Sequence, residues 1–127
     1  MSTLRAAAAV VLVVDDHADI RETVAATLEE HGFGVMSAAD GREALDVLRG
    51  PAPKPRLILL DLFMPRMDGW KFRLEQLRDA QLAEIPVVVM SAESQVATLS
   101  AQMKVAGFLQ KPFGLSALLE TARKHCG

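Results

Sequence analysis

Five side chains in this sequence offer chemistry that their aliphatic surroundings do not: Asp15, Asp16, Asp61, Ser91 and Lys111. Each follows an apolar run. Val10 to Val14 precedes the acidic pair, Leu57 to Leu60 precedes Asp61, Val87 to Met90 precedes Ser91, and Gly107 to Gln110 precedes Lys111. If folding gathers these ends, three carboxylates share one small volume. Such a trio repels itself, and its pKa values rise unless a cation neutralises it. Mg²⁺ suits the task, because it takes hard oxygen ligands, accepts one or two carboxylates and keeps waters that a phosphate can replace. One carboxylate can then attack phosphorus and become an aspartyl phosphate. Ser91 can donate its hydroxyl to one phosphoryl oxygen, and Lys111 can bring positive charge to another.

The elements that would position these groups are legible as two alternating patterns. The three strong runs are short, continuous and rich in Val, Ile and Leu, which fits strands buried on both faces of a parallel sheet. Gly34 to Ser37 and Gly107 to Gln110 are weaker runs of the same kind. Between them lie stretches of helical period. Ile20, Val24 and Leu28 follow an Asp19-x-x-Glu22 pattern resembling a capping box, and Asp40-Gly-Arg-Glu43 opens a helix with Leu45 and Leu48 inside. Trp70, Leu74 and Leu77 mark a third helix, Val96, Leu99 and Met103 a fourth, and Leu115, Leu118 and Leu119 a fifth. Gly32 and Gly50 fall where the first two should stop. The expected fold is therefore α/β, a (βα)5 doubly wound parallel five-stranded sheet between helices. Ligands of such sheets bind at the carboxyl ends of the strands, where all five reactive side chains stand.

Bulk properties narrow the class. The chain has 127 residues, half of them hydrophobic and 24% charged, enough for one domain with a real core. Net charge is −2, which argues against nucleic-acid or anionic-membrane partners. Cys126 is the single cysteine, so an internal disulfide is impossible and a reducing cytoplasm is the expected home. The apolar stretch from Ala6 to Val14 is far shorter than the ~20 residues that span a bilayer, and reads as a strand with an alanine-rich lead-in. Residues 1–127 are expected to form one domain, with 1–9 a flexible lead-in and Gly50 to Pro55 a surface loop.

Taken together, Val-Val-Asp15-Asp16, Leu-Leu-Asp61-Leu-Phe-Met-Pro65-Arg-Met-Asp68-Gly69, Met-Ser91-Ala92 and Gln-Lys111-Pro112-Phe resemble the receiver domain of two-component response regulators, most of all the single-domain chemotaxis type. The likeness runs from about residue 10 to 124. It implies the flavodoxin-like receiver sandwich and a phospho-accepting switch that is not an enzyme in its own right. The switch would be charged by a sensor histidine kinase or a histidine phosphotransferase, would self-phosphorylate from phosphodonors with Mg²⁺, and would lose phosphate slowly. Asp61 matches the phosphorylated aspartate and Asp16 the direct metal ligand. Asp15 matches the acid that reaches the metal through water, and the backbone carbonyl of Phe63 matches a further ligand. Ser91 matches the hydroxyl position, Lys111 the lysine on the phosphoryl group, and the Lys111–Pro112 bond one that is usually cis. Phe108 matches the aromatic that turns inward as the hydroxyl residue moves. A downstream protein partner, or phosphate relay, would act through residues 93–124, and a monomer is expected.

Duller readings stand beside these. Asp15 or Asp16 can cap a helix, Asp61 can start a turn, Ser91 can be a cap, and Phe108 can be a static core residue. Asp68-Gly69 reads as turn chemistry and a helix start. His17 reads as a solvated loop histidine, since Mg²⁺ prefers oxygen to imidazole, and His31 and His125 have no partners at ligand spacing. Phe63 departs from the family, which more often has a smaller or polar side chain there; its ring should shield the site from attacking water. The same residue weakens an aspartyl-phosphate phosphohydrolase, which needs a general acid at that position. A flavodoxin-like cofactor carrier needs a Ser/Thr/Gly-rich loop where Asp15-Asp16 stand. A piece of a larger regulator fits the same motifs.

Overall fold

The computed structural model of the chain describes residues 9–92 and 96–126, leaving aside the side chains of 96, 97, 99 and 100. Five strands alternate with five helices: β1 (Val10–Val14), α1 (Ala18–Glu30), β2 (Gly34–Ala38), α2 (Gly41–Arg49), β3 (Leu57–Asp61), α3 (Gly69–Arg78), β4 (Val87–Ser91), α4 (Val96–Met103), β5 (Gly107–Gln110) and α5 (Leu115–Cys126). The strands form one parallel sheet in the order β2-β1-β3-β4-β5. Alternate strand residues feed two cores, as a period of two requires. Leu12, Val14, Ile58, Leu60 and Val89 meet Leu45, Leu48, Phe72 and Met103 on one face. Val11, Val13, Leu59, Val88 and Met90 meet Val24, Leu28, Leu118 and Leu119 on the other. Burial on both faces is why these runs are continuous rather than alternating.

The strands lie where the apolar runs place them, and β2, β3 and β4 each extend one residue further, so that Asp61 and Ser91 are the last strand residues. Asp40 caps α2, accepting the Glu43 N–H at 2.9 Å, while Glu43 Oε1 accepts the Ala39 N–H at 2.9 Å. Asp68 caps α3 through the Lys71 N–H at 2.9 Å. Gly32 takes φ +92° just beyond α1.

Four local expectations change. α1 starts before the Asp19-x-x-Glu22 pattern: its N-cap is His17, which makes no side-chain cap, and Asp19 lies in the first turn. In α3 the stripe faces outward, with Leu74 57% and Leu77 45% exposed. The inner face is Phe72, Arg73 and Gln76. Polar groups sit there because they capture carbonyls. Arg73 donates to Met103 O at 3.3 Å and Lys104 O at 2.8 Å, at the end of α4, and to Gln76 Oε1 at 2.8 Å. Gln76 in turn donates to Leu82 O and Ile85 O, each at 2.9 Å. Leu115 is exposed at the start of α5, whose buried face is Leu118, Leu119 and Ala122. Ala9, placed in the lead-in, already packs on the core, and its carbonyl accepts the Gly34 N–H at 2.8 Å. Residues 1–8 and the side chains of Val96 and Leu99 lie outside the described residues.

Candidate functional site

The chain reverses direction across the sheet between β1 and β3, which lie side by side although β2 separates them in sequence. A crevice opens at the carboxyl ends of strands at such a point. β1 delivers Asp15 and Asp16 to it, β3 delivers Asp61, β4 delivers Ser91, and the segment after β5 delivers Lys111.

Asp15 is wholly buried. Its Oδ1 accepts the His17 N–H at 2.9 Å, and its Oδ2 accepts Lys111 Nζ at 2.7 Å. The same ammonium stands 3.9 Å from Asp61 Oδ1. Asp61 is buried, and so is Ser91. The Ser91 carbonyl accepts the Lys111 N–H at 2.8 Å, locking the end of β4 to the segment that carries the lysine. The Lys111–Pro112 peptide is cis, as the resemblance implies. Burial pushes the Asp61 carboxyl up to about 6, opposed by Lys111 and reinforced by the charges of Asp15 and Asp16.

Two glycines let the β3 loop close on this crevice. A Cβ on Gly69 would stand 2.6 Å from Asp61 O and 2.8 Å from Leu62 Cα, so only glycine fits against the backbone of the acidic residue. A Cβ on Gly41 would stand 2.8 Å from Met67 O, the oxygen that accepts the Gly41 N–H at 2.9 Å. The same loop is tied down by Arg66, in the left-handed region at φ 64°, whose guanidinium pairs with buried Asp40. Burial works against the Asp40 charge, but the Glu43 N–H and Arg66 outweigh it and hold the carboxyl below its ordinary value.

A cavity of about 630 Å³ opens over the site, and Asp61, Phe63, Ser91 and Lys111 all line it, with His17 and Ile20 of the α1 end opposite. The Phe63 side chain is 53% exposed at this mouth. Phe108 is 46% exposed, which removes the static-core reading for it. Asp15, Asp16, His17 and Asp61 each offer a ligand atom within 4.8 Å of the others. His17 is the member that sequence reasoning set aside; its signal was its place directly after the acidic pair, at the turn into a helix.

The donor set fits a hard divalent cation. Both Asp15 oxygens already accept protein donors, which suits contact through water. Asp16 Oδ1 is buried without a hydrogen-bond partner, and an orphaned carboxylate oxygen among acids is a place for a metal bond.

Comparison with known proteins agrees with the geometry. Residues 11–123 match the family described as the response regulator receiver domain. The chain is 36% identical over 115 residues to the response regulator MprA of Mycolicibacterium vanbaalenii, covering 89% of this chain and 48% of that protein. It is 34% identical over 122 residues to the alkaline phosphatase synthesis transcriptional regulatory protein SphR of Synechococcus elongatus, covering 89% and 47%. The chain thus spans about half the length of the curated relatives it matches. Among solved structures, the chemotaxis protein CheY4 of Vibrio cholerae superposes with a TM-score of 0.84 at 34% identity, over 94% of this chain and 99% of that one. The receiver domain of NtrX from Brucella abortus gives 0.81 at 32%, over 91% and 97%.

Proposed function

Because the chain belongs to the response regulator receiver family, we propose that Asp61 is its phospho-acceptor and that Mg²⁺ is the cation beside it. The receiver fold and the acidic crevice carry the assignment to two-component signalling; the residue roles come from the resemblance, and the geometry of the crevice supports them. The observation that supports them best is one ammonium, Lys111 Nζ, held between the buried carboxylates of Asp15 and Asp61 at 2.7 and 3.9 Å.

An Asp61 oxygen attacks phosphorus of a phosphohistidine or of a small acyl phosphate. A P–O bond to the carboxylate forms as the P–N or P–O bond to the donor breaks, and the donor leaves with the electron pair. Asp16, Asp61 and the Phe63 carbonyl would hold Mg²⁺, with Asp15 as their acidic partner, and the ion would supply positive charge to offset bringing an anion onto an acid. Lys111 gives up part of its contact with Asp15 to reach the new phosphoryl oxygens, and Ser91 supplies its hydroxyl from the neighbouring strand.

The partners are a sensor histidine kinase or histidine phosphotransferase upstream and a protein reader downstream. The reader uses the face built from α4, β5 and α5, where Phe108 and Leu115 stand about half exposed. Residues 93–95 of that face lie outside the described residues. The domain turns over no substrate beyond taking up and slowly shedding its own phosphoryl group. It acts in the cytoplasm as a monomer, without nucleic-acid contact of its own; no helix among the described residues is long and apolar enough to cross a membrane.

Incubation with Mg²⁺ and acetyl phosphate tests this by intact mass. Wild type gains one phosphoryl group, whereas Asp61→Asn and metal-free wild type do not. An unmodified wild type, or an equally modified Asp61→Asn, overturns the assignment.

A further inference from the structure

The acidic crevice holds one ligand atom that is not oxygen. His17 Nδ1 lies 3.3 Å from Asp16 Oδ1, and 3.3 Å from Asp15 Oδ1 in a hydrogen-bond contact. Two ligand atoms that share an ion at about 2.1 Å stand about 3 Å apart when adjacent in its coordination shell. The 3.3 Å between His17 Nδ1 and Asp16 Oδ1 is therefore already near the spacing of two ligands on one cation. Its backbone is fixed at both ends, since its N–H donates to Asp15 Oδ1 at 2.9 Å and its carbonyl accepts the Arg21 N–H of the first turn of α1 at 3.0 Å. The ring is 65% exposed, so little desolvation opposes a swap of water for metal. The orphaned Asp16 Oδ1 is the oxygen it faces.

We propose that His17 Nδ1 is a direct ligand of the divalent cation in this crevice, and that it biases the site towards later, borderline divalent ions such as Co²⁺, Ni²⁺ and Zn²⁺ relative to Mg²⁺. The inference rests on the reading of Asp15, Asp16 and Asp61 as a metal site. Oxygen donors alone hold Mg²⁺ well, and Mg²⁺ dehydrates reluctantly to accept nitrogen. Imidazole bonds the later divalent ions far more strongly, so one histidine among three carboxylates changes the ranking of metals more than the strength of the site. A cell could then charge this switch with whichever of these ions is at hand, and its phosphorylation would follow transition-metal supply.

Selectivity, rather than activity, tests the idea. Isothermal titrations of wild type, His17→Ala and Asp16→Asn with Co²⁺ and with Mg²⁺ are combined with the ligand-field spectrum of bound Co²⁺ and its paramagnetically shifted imidazole protons. In wild type a shifted imidazole N–H resonance appears at one equivalent of Co²⁺. In His17→Ala that resonance is lost, the spectrum changes, and the ratio of Co²⁺ to Mg²⁺ affinity falls by about tenfold or more. If the ratio and the spectrum are the same in wild type and His17→Ala, the histidine is no ligand, while the magnesium site stands. If wild type binds neither ion, or Asp16→Asn binds both as wild type does, the metal site itself is wrong and this inference goes with it.

Discussion

Asp61 stands out among the carboxylates because its environment penalises its charge. Burial lifts its pKa to about 6; Lys111 opposes the lift, and the charges of Asp15 and Asp16 add to it. A carboxyl raised in this way contributes stability that is complete below its ordinary value near 3.8 and is lost as pH climbs through about 6. Metal-free protein at neutral pH therefore carries an unfavourable charge where the proposed cation would sit. Replacement by a neutral amide relieves it: Asp61→Asn should melt several degrees above wild type at pH 7.5 without metal, and the gap should close near pH 4. Thermal melts of the pair in EDTA at both pH values measure this. A constant gap would mean that the gain comes from packing. Asp40 provides the contrast, since its lowered pKa gives stability that is lost only as pH falls below about 3.8, in both proteins alike. Phe63 acts at the same mouth by shape. Its half-exposed ring lines the cavity over Asp61, and the proposed role for it is to limit the approach of a hydrolytic water. Phe63→Asn should shed phosphate several-fold faster once the donor is removed. Intact mass against time decides it, and an unchanged half-life would leave the ring without that role.

At the scale of elements, the β3–α3 connection does more than turn the chain. Gly69 is the first residue of α3, where alanine would ordinarily be the better helix former by about 1 kcal/mol. Here the Cβ would meet the carbonyl of Asp61 at 2.6 Å, and that atom is backbone, which cannot swing aside. Gly69→Ala should therefore destabilise the fold by about 1–3 kcal/mol in urea melts and slow acetyl phosphate labelling, against the helix-propensity trend. A stabilised variant would show that the loop yields. How far the elements could be read in advance depends on what sets them. Strands such as Val87–Ser91 are buried on both faces, and nothing else demands so continuous an apolar run, so composition locates them and the reactive residues at their ends. α3 shows where periodicity fails. Trp70, Leu74 and Leu77 have core spacing, yet the buried face carries Arg73 and Gln76, because those side chains satisfy carbonyls at Met103, Lys104, Leu82 and Ile85. The demand comes from distant loop ends that a helical wheel does not contain. His17 was hidden for a related reason: proximity to a charge pair is visible in a sequence, but the direction of an imidazole is set by a helix start that the Asp19-x-x-Glu22 pattern misplaced.

For the molecule as a whole, the proposed function requires that an event at Asp61 be felt on the α4-β5-α5 face, and the sheet offers a route. β3 pairs with β4, and β4 with β5, so Asp61, Ser91 and the segment leading to Lys111 are neighbouring rungs of one ladder. Phe108 lies opposite Val89 on that ladder, two residues before the Ser91–Gln110 pair. A pull on Ser91 by a phosphoryl oxygen moves atoms one strand away from the ring. In the described state Phe108 is 46% exposed, so it has an outward position to leave. The coupling is a population shift and needs only that the phosphorylated site favour the inward rotamer. With 4-fluorophenylalanine in place of the five phenylalanines, the Phe108 ¹⁹F resonance, assigned by Phe108→Leu, should move towards a buried shift on phosphorylation. Ser91→Ala should still accept phosphate from acetyl phosphate, at a reduced rate, while its Phe108 resonance stays in place. Movement of that resonance in phosphorylated Ser91→Ala as large as in wild type would show that the signal reaches β5 through Lys111 instead, by way of the bond from its N–H to the Ser91 carbonyl, which the substitution leaves intact.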